Sequence, residues 1–195
     1  MKTSHLGFVV GIGGSAGALN AYMEILAGLP SNTGMAFVVI AHMHPTATSH
    51  LALLLAARTK MPVKVATQAM PIQPNHVYVI PPNADLRVQG DAFEVVSPRS
   101  VMSKQVDIFL TSLAETWGAR AIAIILSGYD GDGADGCRKI KANGGTTFAQ
   151  DRSAEVDGMP FTAQSTGCVD FVLPPNKIAD ELKRIGRNKR SRPKD

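Results

Sequence analysis

Three short stretches carry residue types that could do chemistry together. Gly13-Gly14-Ser15-Ala16-Gly17 fits the G-x-S-x-G elbow, which presents a serine between a strand and a helix. His42 ends the apolar run Val38-Val39-Ile40-Ala41. Asp130 and Asp132 lie in Ser127-Gly128-Tyr129-Asp130-Gly131-Asp132-Gly133, just after a third apolar run. Serine is a weak nucleophile until a base takes its proton, and histidine serves as that base once a carboxylate fixes its tautomer. The set points to acyl transfer, with Ser15 as nucleophile, His42 as base and one of Asp130 and Asp132 as the histidine's orienter. Small residues around Ser15 suit a tight turn. Unpaired N–H groups at a helix start suit a developing oxyanion.

Each stretch also has a plainer reading. Ser15 could simply cap a helix, and Asp130 and Asp132 could be turn formers or caps. His44 competes with His42 for the role of base. Gly11-x-Gly13-x-x-Ala16 fits the relaxed dinucleotide fingerprint, but that site needs an acid at the end of the second strand, where this chain has His42. Asp130 does not open an EF-hand loop, because Asp135 stands at its sixth position and Lys141 at its twelfth. His42 and His44 would point the same way from a strand and could ligate a metal with Asp132. A metal-dependent hydrolase is therefore an alternative. The serine reading itself requires neither metal nor cofactor.

For the three stretches to meet, the elements between them must set them on one edge. Short β-branched runs predict strands at 6–12, 35–41, 63–66, 77–80, 121–126, 146–149 and 168–173. Helical periodicity predicts helices at 16–29, 46–59 (capped by Thr46 or Thr48), 106–117, 134–142, 161–166 and 178–185. This alternation predicts an α/β fold: a doubly wound, mainly parallel sheet with helices on both faces. Residues 86–88 and 93–96, around Gly90-Asp91, predict an antiparallel hairpin at the edge. In such sheets function collects beyond the carboxyl ends of the strands, where Ser15, His42 and Asp132 all fall.

Length and charge narrow the classes further. The 195 residues fit one domain over 1–186, followed by a basic, flexible tail over 187–195. The net charge of +4 comes from the C-terminal end, where seven cations from Lys183 onward face only Asp195. The remaining body is slightly acidic, which argues against nucleic acid as a partner. The tail could meet an acidic partner. Two cysteines give no disulfide framework and suit a reducing compartment, so a cytoplasmic location is expected. No apolar run reaches membrane-spanning length, so no membrane insertion is expected. Gly11, Gly13 and Gly14 interrupt a start that superficially resembles a signal peptide.

The ordered set GIGGSAG, AHMHP, SGYDGDGADG, AQDRSAEVDGMP and GCVDFVLP resembles the catalytic domain of the CheB protein-glutamate methylesterases, over residues 7–185. The resemblance implies a doubly wound α/β domain with its nucleophile at Ser15, its histidine at His42 and its aspartate at Asp132. Asp130 and His44 match no catalytic position. The implied activity is hydrolysis of glutamate methyl esters on a chemoreceptor-like protein in chemotaxis-type signalling, with glutamine deamidation by the same acyl chemistry. Backbone N–H groups near Ala16 and Tyr129 are expected to form the oxyanion site. Ala16 stands where the family often has threonine and Tyr129 where it often has methionine. These departures leave a catalytically weak protein-binding module as a second alternative. The family's usual receiver domain has no counterpart in this stretch, so control by phosphorylation in cis is not expected.

Overall fold

The computed structural model describes residues 6–42 and 50–190. Its centre is three buried parallel strands, β1 (Phe8–Gly14), β2 (Met35–Ala41) and β7 (Ala121–Ile125). Their continuous apolar runs are what a strand covered on both faces requires. Flanking them are β3 (Val63–Val65), β4 (His76–Val79), β8 (Thr146–Gln150) and β9 (Phe171–Leu173). The order is β3-β4-β2-β1-β7-β8-β9, and every pairing is parallel.

Side chains alternate across this sheet and build two apolar layers. On one side Val10 and Ile12 of β1 pack with Tyr22 and Ile25 of α1 (Leu19–Ala27), Leu55 of α2 (Leu51–Ala56) and Ile178 of α6 (Pro175–Arg190). On the other, Val9 joins a cluster with Phe109 of α3 (Gln105–Trp117), Ile140 of α4 (Ala134–Ala142) and Met159 of α5 (Gly158–Ser165). The fold is the doubly wound α/β arrangement expected. The hairpin, β5 (Asp85–Gln89) and β6 (Ala92–Val96), turns at Gly90 and forms its own two-stranded antiparallel sheet. It is tied to α3, where Val88 N–H donates to Ser112 Oγ at 3.0 Å. No helix among the described residues is long and apolar enough to cross a membrane.

Several boundaries differ from the sequence expectation for physical reasons. β1 runs on through Gly13 and Gly14, which pair with Ile40 and Ala41, so these glycines do not end the strand. They make room for a helix. A Cβ at Gly11 would lie 2.7 Å from Leu110 Cδ2, and one at Gly13 would lie 2.4 Å from Val106 Cγ1. The glycine run that mimics a phosphate-binding fingerprint thus lets α3 press onto the sheet. α1 starts at Leu19, not residue 16, because Gly17 takes a positive φ of 74° and breaks the helical path. Its cap position is Ala18, so Ser15 is not a helix cap. α5 starts earlier, at Gly158, and α6 runs from Pro175 to Arg190, four residues into the stretch expected as tail. The expected caps Thr46 and Thr48, and the end of the tail, lie outside the described residues.

Candidate active site

β1 continues in the chain to β2 on one side, while β7 returns beside it on the other. That reversal is where doubly wound sheets open a crevice at their carboxyl edge. Ser15 and His42 are the first residues past the last paired position of β1 and β2, Gly14 with Ala41. His42 N–H still donates to Gly14 O at 3.3 Å. On the β7 side, Leu126 N–H donates to Gly13 O at 2.8 Å, and Ser15 N–H donates to Ser127 O at 2.8 Å. The three strand ends therefore share one rim.

From the β7 side the loop returns Asp132 under the histidine. His42 Nε2 and Asp132 Oδ2 are 2.7 Å apart, and Asp132 is buried. The carboxylate has a second task. Its Oδ2 accepts from Val106 N–H at 2.9 Å and its Oδ1 from Asp107 N–H at 2.8 Å. Asp132 thus caps α3, not α4, the helix that follows it in sequence. Asp107 answers crosswise. Its Oδ1 accepts from Gly133 N–H at 2.9 Å and Gly136 N–H at 2.8 Å, at the start of α4. Each helix lends an acid to the other's orphan amides, where the helix dipole also favours negative charge. Lys104 Nζ pairs with Asp107 Oδ2 at 3.0 Å.

Burial opposes charging of the His42 ring. The hydrogen bond and charge of Asp132, with the charge of Asp130, outweigh both burial and the opposing Arg99 guanidinium. The net effect raises the histidine above its ordinary value. Asp107 is also pushed up, chiefly by burial. No hydrogen bond joins Ser15 Oγ to His42; the open ring nitrogen, Nδ1, has Asp130 Oδ2 at 3.4 Å. His44, the second histidine of the metal alternative, lies outside the described residues. Among the described residues no group of three or more His, Cys, Asp and Glu side chains is arranged to hold a metal ion.

No described residue accepts a hydrogen bond from the N–H of Ala16 or Tyr129, the two amides expected to meet an oxyanion. Tyr129 is 78% exposed. Its carbonyl is packed against Gly158, where a Cβ would come within 2.2 Å.

Sequence reasoning missed the residues that hold this loop cluster. Ser127 is buried and stitches three segments together. Its Oγ donates to Ala16 O at 2.7 Å and accepts from Val156 N–H at 2.9 Å, and its N–H donates to Gln150 Oε1 at 3.1 Å. Gly128 leaves space beside the serine, since a Cβ there would lie 2.1 Å from Met159 Sδ and 3.1 Å from Ser15 Cβ. The available signal was positional: Ser127 and Gln150 are polar residues at the ends of buried strands.

A family profile described as CheB methylesterase matches residues 10–182 of this chain. The chain is 34% identical over 185 residues to a protein of Methanospirillum hungatei named protein-glutamate methylesterase/protein-glutamine glutaminase 2. That match covers 93% of this chain and 53% of the relative. It is 33% identical over 181 residues to a Leptospira interrogans protein named putative protein-glutamate methylesterase/protein-glutamine glutaminase, covering 91% of this chain and 94% of that protein. The chain spans about half the length of several of the relatives it matches. The fold superposes on the crystal structure of the Thermotoga maritima CheB methylesterase catalytic domain with a TM-score of 0.84 and 33% identity, covering 92% of this chain and 98% of that one.

Proposed function

The chain belongs to the CheB methylesterase family, and from that premise we propose that it is a serine hydrolase removing methyl groups from glutamate methyl esters of a chemoreceptor-like protein in the cytoplasm. The observation that carries this reading is the 2.7 Å contact between His42 Nε2 and buried Asp132, at the strand end next to that of Ser15. Asp132 occupies Nε2, so Nδ1 is the nitrogen that serves Ser15. In the proposed reaction Ser15 Oγ attacks the ester carbonyl while its proton passes to Nδ1. The N–H groups of Ala16 and Tyr129 receive the oxyanion. The proton then moves to the departing methoxide, giving methanol and an acyl-enzyme. Water, activated by Nδ1, releases the glutamate. A glutamine side chain enters the same sequence with ammonia as the leaving group.

Two measurements test this together: labelling by a fluorophosphonate, and methanol release from a methylated receptor preparation. The expectation is that Ser15 is labelled and that Ser15→Ala lowers methanol release by about a thousandfold or more. Wild-type methanol release by Ser15→Ala would overturn the nucleophile assignment. Absence of both labelling and release in the wild-type chain would favour the binding-module reading.

A further inference from the structure

Asp130 sits in the same glycine-rich loop as Asp132, and its two oxygens face different groups. Oδ1 accepts the N–H of Asp132 at 3.1 Å, a local turn that an aspartate or asparagine makes equally well. Oδ2 stands 3.4 Å from His42 Nδ1. The imidazole therefore has a carboxylate on each nitrogen. The two are not equivalent: the Asp132 contact is short and the Asp132 side chain is fully buried, whereas the Asp130 side chain is 36% exposed. At 3.4 Å it is longer than a charge-assisted hydrogen bond but close enough to stabilise a positive ring.

We propose that Asp130 is a positioning residue for the ester hydrolysis: its carboxylate steadies the His42 ring through Nδ1 while that nitrogen carries the proton taken from Ser15. This rests on the reading of His42 as the base. The proton moves from Ser15 Oγ to Nδ1 and on to the methoxide oxygen; Asp130 takes none and acts only through its charge and as an acceptor. Among the described residues, the other charges that bear on the ring are Asp132, which acts in the same direction, and Arg99, which opposes both. Behind Asp132 stand Asp107 and its partner Lys104.

Asp130→Asn keeps the turn acceptor and removes the charge, which separates this role from a purely structural one. The readouts are the NMR titration of the His42 imidazole, assigned by comparison with His42→Gln, and the pH profile of kcat/KM. In Asp130→Asn the His42 titration moves to lower pH and the acid limb of the profile follows. Activity at pH 6 relative to the plateau then rises by roughly threefold, since a tenfold change corresponds to a full unit of displacement. An unmoved titration, or a moved titration with an unmoved profile, overturns the proposal. The imidazole titrates whether or not the protein turns over. An unmoved titration beside an inactive Ser15→Ala therefore removes the role of Asp130 alone. Retained methanol release by Ser15→Ala removes the underlying reading, and the proposal with it.

Discussion

A carboxylate that only oriented a histidine would affect turnover and little else, but Asp132 also receives two backbone amides of α3. Asp132→Ala is expected to lower activity by about ten-thousandfold, as loss of an orienting acid does. It is also expected to lower stability by about 2–3 kcal/mol, because two amides in a buried position lose their acceptor. His42→Ala should match it in lost activity but not in lost stability. Urea unfolding of the two variants checks this, and equal midpoints would refute the capping role. His42 itself predicts a pH dependence. Its folded value is raised, so its contribution to stability is fully present below the ordinary value of 6.5 and is lost as pH rises through the folded value. With His42 as the proposed base, the acid limb of kcat/KM should lie above the ordinary histidine value, since only the neutral ring could take the serine proton. That Ser15, His42 and the loop of Asp130 and Asp132 share one rim was legible because each follows an apolar strand, whereas the choice of Asp132 over Asp130 came from the family resemblance. The second task of Asp132 was not legible, because its partners Val106 and Asp107 lie 25 or more residues away.

The central contact between elements is α3 on β1, and it depends on missing side chains. Gly13→Ala would set a Cβ 2.4 Å from Val106 Cγ1. The helix must shift, at an expected cost of about 1–3 kcal/mol. Val106 N–H donates to Asp132, so activity should fall further than the stability loss alone accounts for; thermal melts and methanol release on the same preparation measure both. Ser127→Ala would leave Val156 N–H and Ala16 O without their side-chain partner, and is expected to cost about 1–3 kcal/mol while loosening the elbow. The elements themselves were readable from apolar runs and helical periods. Their ends were less so, because Gly13 and Gly14 read as a turn when they are in fact strand residues facing a helix. A glycine pattern announces a close approach but not what approaches.

Across the whole molecule, the alternation of strands and helices announced a parallel sheet covered on both faces, and the chain folds so. What the alternation could not order was the return of β7 to the free side of β1, since that depends on which apolar faces meet after the hairpin departs to α3. Yet that return creates the site, by setting the Asp132 loop opposite the ends of β1 and β2. Gradual heating should therefore abolish methanol release and native circular dichroism at one midpoint, because the site shares its supports with the core. Earlier loss of activity would mean that the loop cluster opens on its own.

The crosswise exchange of acids between α3 and α4 has a consequence for descent. A chain of this lineage that ceased to hydrolyse esters would still need its acid at the position of Asp132, because the first turn of α3 would lose the acceptor of two amides without it. Nothing comparable holds the hydroxyl of Ser15, which donates to no described residue and is free to drift once chemistry no longer requires it. The serine, not the aspartate, is therefore the position at which a lapsed copy would betray itself.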